Sequence, residues 1–264
     1  MASLRRAVLL VLMAVACAMS AAGQEKAAAV LNPMARDADP SFEVATIKPS
    51  DPDDTNQGFR LDGHRIRVEA NSLNSIVCFA YSVQRSQIVN APSWFDERWD
   101  IDGVPDVEGK PNWEQYRHML RKLLATRFGL KLHQDKRELP VYALTVTKGG
   151  PKLKESTSDA NALSDSSGNG RGSAQYMKFT NLTMKGFAEV MGLMVDRPVV
   201  DETKLPGRYD FELLWTPDTV RAAPTDAAPG VFTAVQEQLG LKLSAERLPA
   251  DVLVIDAATR PTQN

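Results

Sequence analysis

The chain has 264 residues, 43% of them hydrophobic and 24% charged, with a formal net charge of −2. That composition describes a soluble globular protein with room for one large domain or two small ones. It excludes a polyanion binder, which needs a Lys/Arg excess on one face to neutralise phosphates, so no nucleic-acid partner is expected.

In chain order, "MASLRRAVLLVLMAVACAMSAAGQ" comes first: Arg5-Arg6, an apolar run from Ala7 to about Met19, then small residues at Ser20, Ala21 and Ala22. This reads as a secretory signal peptide over 1–22, cleaved near Ala22 or Gly23. The apolar run is shorter than the roughly 20 residues a spanning helix needs. Cys17 offers a lipoprotein alternative, although Ala14 stands where a lipid-attachment box has Leu. Nothing past residue 25 could span a bilayer. The expectation is an exported chain, periplasmic or extracellular, with no transmembrane segment in its mature form. Residues 23–40 read as a disordered leader.

A strand is predicted at "SFEVATIKPS" (41–50), after which the chain repeats itself. "RIRVEA" (65–70) and "YMKFT" (176–180) read as strands, each followed by a helix: Leu73 to Val83 in one copy, Met184 to Val195 in the other, at an offset of 184 − 73 = 111. Leu73, Ile76, Val77, Ala80 and Val83 recur at helical spacing, and Met184, Phe187, Ala188, Met191 and Val195 do nearly the same. Asn71-Ser72 and Asn181 with Thr183 are the capping residues. "QIVNA" and "RPVVDE" are strands after the helices. Next come Arg98-Trp99-Asp100-Ile101 and Arg208-Tyr209-Asp210-Phe211, the same Arg-aromatic-Asp run twice. A second helix in each copy ends at Gly129 or Gly240 and enters a strand. "RELPVYALTV" (137–146) and "ERLPADVLVI" (246–255) are then expected to return as hairpins. The fold class is therefore α+β: two tandem copies of a strand-helix-strand-strand-helix-strand-strand unit, with helices packed on small mixed sheets. The copies span 41–150 and 176–260. A Ser/Gly/Asn-rich flexible linker at 151–175 joins them, and 261–264 is a tail.

Several of these segments together, among them "SFEVATIKPS", "SIVCFAYSVQRSQIVNAPSWFDERWDI", "LLATRFGLKLHQDKRELPVYALTVTKGGPKLKES" and "DRPVVDETKLPGRYDFELLWTPD", resemble a large paralogous family of uncharacterised secreted proteins found mainly in soil acidobacteria. The resemblance covers roughly residues 41–264. The family has no established activity. Some members look like sensor regions fused to a BlaR-type membrane metallopeptidase, but this chain has no His-Glu-x-x-His motif. Each copy is also similar, through "LRKLLATRFGLKL…LPVYALTV", to the short N-terminal domain of secretins and TonB-dependent receptors. That similarity implies protein contacts in the envelope and no catalysis.

Motifs of chemistry are scarce. His64, His118 and His133 lack ligand spacing, so no metal site is expected, and no cofactor loop occurs. "SSGNGRG" (166–172) neither follows a clear strand nor opens a helix, which makes it linker and no phosphate cradle. "DPDDTNQG" (51–58) lacks the spaced ligands of a calcium loop and reads as a solvated turn. Cys78 sits in an apolar run as a small hydrophobe. The aromatic and arginine residues around the repeated run are the candidate partner or ligand surface: Trp94, Phe95, Arg98, Arg208 and Trp215, with Trp94 the best candidate for exposure. Most aromatics in such strands build core, and Trp99 and Tyr209 are expected to face the helices. No catalytic constellation is found. The expected function is a non-catalytic binding, interaction or sensing module of the envelope, its partner an envelope protein or a small ligand. The alternative is a secreted hydrolase with an acidic site between the two repeats.

Overall fold

Three four-stranded sheets and four α-helices form an α+β fold in the computed structural model, which describes residues 32–158, 165–171, 173–217 and 228–261. The signal peptide, its cleavage point and Cys17 lie outside the described residues, as do the first part of the leader and the last three residues of the tail.

The first sheet has the order β1-β5-β3-β2, from β1 (Phe42–Pro49), β2 (Gly58–Asp62), β3 (Arg65–Ser72) and β5 (Arg98–Pro105). All its pairings are antiparallel. Helices α1 (Leu73–Tyr81) and α2 (Trp113–Arg127) cover its inner face. Ser72 caps α1 by accepting from the Ser75 amide at 3.1 Å, and Asn112 and Gln115 form a reciprocal capping box on α2. Each cap satisfies amides that the first helical turn leaves without partners. The second sheet repeats the plan as β7-β11-β9-β8, from β7 (Lys154–Glu155), β8 (Asp165–Arg171), β9 (Ala174–Thr183) and β11 (Arg208–Trp215). Helices α3 (Met184–Gly192) and α4 (Val231–Leu239) pack on it. Thr183 caps α3 through the Gly186 amide at 3.1 Å.

The third sheet, in the order β10 (Val199–Asp201), β6 (Lys131–Val146), β12 (Leu241–Ala257) and β4 (Ile88–Val89), belongs to both halves. Its centre is an antiparallel ribbon of β6 (Lys131–Val146) and β12 (Leu241–Ala257), each strand following its helix after a left-handed glycine, Gly129 at φ 53° and Gly240 at φ 66°. Only glycine takes that conformation without a Cβ clash. The expected hairpin returns do not form, because Leu139-Pro140 and Leu248-Pro249 lie mid-strand, with Leu139 opposite Leu248. Proline is tolerated there because its missing N–H falls on the outer edge. Tyr142, two residues on and so facing the same way, sends its amide outward to the Pro198 carbonyl.

The two short flanking strands cross over. β4 (Ile88–Val89), from the first half, pairs in parallel with β12, and β10 (Val199–Asp201), from the second, pairs in parallel with β6. Leu253 and Ile255 of β12 thereby enter the core of the first half, beside Trp99, Leu120 and Phe128, while Leu144 of β6 enters the core of the second, beside Phe179, Phe187 and Phe211. Gln84 strengthens the union by donating to the Gly192 and Val195 carbonyls at the end of α3. Each fully buried Leu, Ile or Phe contributes about 1.5–3 kcal/mol relative to an exposed one, so each half depends on residues of the other.

Two stretches expected to lack structure carry it. Residues 151–175, read as a linker, supply β7 and β8; residues 159–164 and 172 lie outside the described residues. A Ser/Gly-rich sequence holds an edge strand here because β9 provides a continuous backbone ladder from Asp165 to Arg171. The end of the leader is fastened too. Met34 is buried, the Ala35 carbonyl accepts from Gln115 at 2.7 Å, and Asp39 lies 2.7 Å from Lys122 and 2.6 Å from His118. No helix among the described residues is long and apolar enough to cross a membrane.

Candidate functional site

The repeated Arg-aromatic-Asp run explains itself at the sheets' central strands. On β3, Ala70 takes φ 48° inside a bulge just before the α1 cap; on β9, Asn181 takes φ 55° at the matching place before α3. The bulge turns each residue's amide out of the ladder. Asp100 accepts the Ala70 amide at 2.9 Å, and Asp210 accepts the Asn181 amide at 2.8 Å. Trp99 and Tyr209 point the other way and are buried, Trp99 edge-to-face on Phe128 at 5.5 Å. Partial burial raises the Asp100 pKa, but the Ser50 hydroxyl, the Ala70 amide and the Lys48 ammonium outweigh it and hold the carboxyl below its ordinary value. The Asn181 amide and the Ser156 hydroxyl hold Asp210 low in the same way. At neutral pH both aspartates therefore close a bulge as anions, and neither is a proton donor there.

The five candidate surface residues are not brought together. Phe95 is fully buried in the first core, and Trp215, 6% exposed, lies in the second; both are corrected from surface to core, since their strand and turn positions direct them inward. Trp94 is half-buried, against Phe95 at 4.9 Å and beneath the Arg260 guanidinium at 5.3 Å. Arg208 donates to the Asn181 carbonyl at 3.0 Å. Arg98 has the widest reach, donating to the carbonyls of Asp51, Pro52 and Asp54. One guanidinium thus pins the turn at 51–54 against the end of the first sheet.

That pinned turn is one wall of a groove on the outer face of the first sheet, with a volume of about 520 Å³. The floor comes from alternate, outward-facing strand positions: Lys48 on β1, Asp100 and Asp102 on β5, Arg67 and Glu69 on β3, Arg60 and Asp62 on β2. Asp54 and Asn56 form the wall. The charges interlock. Lys48 lies 3.6 Å from Asp100, Arg60 is 2.6 Å from Glu69, and Arg65 at the rim is 2.5 Å from Asp102. Arg67 lies 3.3 Å from Asp62 and 3.8 Å from Asp102.

The sequence reading missed these groove residues. The signal was present in "FRLDGHRIRVEA": alternate polar and apolar residues on either side of an Asp-Gly pair mark a hairpin with one polar face. Gly63 takes φ 63° in its two-residue turn. A smaller cleft of about 270 Å³ lies between the halves, lined in part by Glu189, Asp201 and Asp251. Asp201 there accepts from the Thr203 hydroxyl at 2.7 Å, and Asp251 is 3.9 Å from Lys136. Among the described residues no three His, Cys, Asp or Glu side chains gather to hold a metal ion. The free thiol of Cys78 is pushed up to about 11, chiefly by burial, which keeps it protonated and unreactive at neutral pH.

Residues 74–258 match the family described as "Protein of unknown function (DUF3738)". The chain belongs to this family. The match runs from α1 through β12, so it includes both halves of the shared sheet, α1 to α4 and both aspartates of the repeated run. The N-terminal strands β1 to β3, which carry Arg60 and Arg67, lie ahead of it. No curated protein and no solved structure matches the DUF3738 chain.

Proposed function

We propose that this DUF3738 protein is an exported, non-catalytic binding module of the cell envelope, and that the groove on the first sheet holds its ligand. The observation that carries the reading is the construction of the groove. Its floor charges are ordered by ion pairs, its wall is fixed by Arg98, and the acidity of Asp100 is set opposite to what a general acid needs. Such pre-arrangement lowers the ordering cost of binding. The signal-peptide pattern of residues 1–22 supports export to the periplasm or beyond, and the resemblance to secreted acidobacterial proteins, some fused to a BlaR-type peptidase, supports a sensing role. The likeness to the short domain of secretins lends less, since its two-strand hairpin is here a single long strand.

Two measurements test this. Fractionation and N-terminal sequencing of the expressed protein should place it outside the cytoplasm with a new terminus near residue 23; a cytoplasmic, uncleaved product overturns the export reading. Immobilised full chain should retain a ligand or protein from envelope extract, and Arg98→Ala should release it. The cleft between the halves, with Glu189, Asp201 and Asp251, favours the second reading, a secreted hydrolase. Turnover of an extracellular polymer that disappears in Asp201→Asn or Asp251→Asn would establish that reading in place of the first.

A further inference from the structure

We infer that the first-sheet groove binds a small zwitterion, a ligand presenting one carboxylate and one ammonium, with a short peptide bearing free termini as the simplest member of the class. This rests on the binding reading above and names the ligand chemistry of the same groove.

Two groups in the groove are left incompletely matched, and they have opposite charge. Arg67 stands directly across the β2–β3 ladder from Arg60, and like charges in that relation repel. Arg60 is neutralised by Glu69 at 2.6 Å, but Arg67 has only the longer contacts to Asp62 and Asp102, and Asp102 is already held by Arg65. The Arg67 Nε is buried and makes no hydrogen bond among the described residues. A cleft-lining guanidinium paired this incompletely is matched by a carboxylate, which accepts from two of its N–H groups at once. The second group is Asp54 on the wall. One of its oxygens accepts the Asn56 amide at 2.8 Å, and no Lys, Arg or His among the described residues pairs with it. Because Arg98 grips the Asp54 carbonyl at 2.7 Å, that carboxylate is held in place before any ligand arrives.

The rest of the lining narrows the class. Five carboxylates face three cations around the groove, so a multiply charged anion is repelled, while a simple cation leaves Arg67 unmatched. A ligand with one charge of each sign satisfies both. The volume of about 520 Å³ falls within the roughly 300–1,000 Å³ of small-ligand clefts.

Calorimetric titration of the full chain with trialanine tests this, with N-acetyl-trialanine and trialanine amide as comparators. The free tripeptide should bind, and each blocked form should bind at least about tenfold more weakly, the loss expected for one charge-assisted hydrogen bond. Arg67→Met should abolish the preference for a free carboxylate and Asp54→Asn the preference for a free ammonium, without lowering the melting temperature. Asparagine keeps the acceptor for the Asn56 amide, so Asp54→Asn decides the matter even if Arg67→Met fails to fold. No heat with trialanine, or equal binding of the blocked forms, overturns the zwitterion assignment and leaves the binding reading standing if envelope extract still yields a ligand. Hydrolysis of bound trialanine overturns the non-catalytic reading and leaves the zwitterion assignment intact.

Discussion

The two outer sheets share an order of strands and differ in what they carry. Both close a bulge with an aspartate, bury an aromatic beside it and launch a capped helix from the bulged strand. The first sheet has an eight-residue outer strand in β1, where the second has the two residues of β7. At an offset of 111, Arg67 of the first sheet becomes Lys178 and Glu69 becomes Thr180. In the second sheet Asp210 lies near Lys154 and Lys178, so the residues of the interlocked floor are replaced there and not repeated. What the halves hold in common is therefore scaffold, and what only one of them holds is the better guide to function.

Dividing the molecule should break the comparison most severely. A chain ending at Gly150 keeps the first sheet and both its helices but loses β12, with Leu253 and Ile255. It should show no cooperative urea transition alone and regain one when mixed with the complementary fragment; a sharp transition in the fragment by itself would mean that the halves are independent. Next in size are the aromatics. Trp99→Ala and Tyr209→Ala should each cost about 3–5 kcal/mol by urea denaturation. Trp99→Phe should cost far less than Trp99→Ala, because the buried indole N–H has no hydrogen-bond partner among the described residues to lose.

Smaller effects belong to the aspartates. Asp100→Asn should cost about 1–2 kcal/mol at neutral pH, since a charge-assisted bond to the Ala70 amide is weakened. The carboxyl is held low in the folded state, so its contribution is complete above an unfolded value of about 3.9 and fades as pH falls through the folded value. The gap between wild type and variant should therefore narrow below about pH 4, and a gap independent of pH would remove the charge from the explanation. Asp210→Asn should follow the same trend, which unfolding across pH can compare side by side. The smallest change is expected from Arg98→Lys: little shift in melting temperature, but faster proteolytic cleavage at 51–57, because an ammonium cannot hold three carbonyls in the geometry of a guanidinium. Cleavage in the second half, which Arg98 does not touch, should be unchanged.

Much of the architecture was legible because helical spacing and caps are local. Leu73, Ile76, Val77 and Ala80 are buried as their period required, and so are Met184, Phe187, Ala188 and Met191, whereas Val83 and Val195 fall past the helix ends and are only partly buried. The hairpins were misread because Leu-Pro in a strand signals a turn unless the proline faces an open edge, and that depends on a neighbour contributed by the other half of the chain. The strand at 165–171 was hidden for a related reason: its residues have low strand propensity and borrow their order from β9. Trp94, Phe95, Arg98, Arg208 and Trp215 were singled out by residue type, which cannot tell a buried anchor from an exposed one. The groove was missed because its residues look like ordinary solvated positions on alternate faces of strands. Only the register of four strands makes them neighbours.

The crossed strands of the central sheet also set a schedule. Ile88 pairs with Leu253, a separation of 253 − 88 = 165 residues, so β4 has no neighbour on that edge until almost the whole chain exists. Loop closure over such a distance is slow, and topologies rich in distant contacts fold late. A nascent chain of this design cannot complete its first core during synthesis, however well its helices form. It stays threadable until its last strand is made.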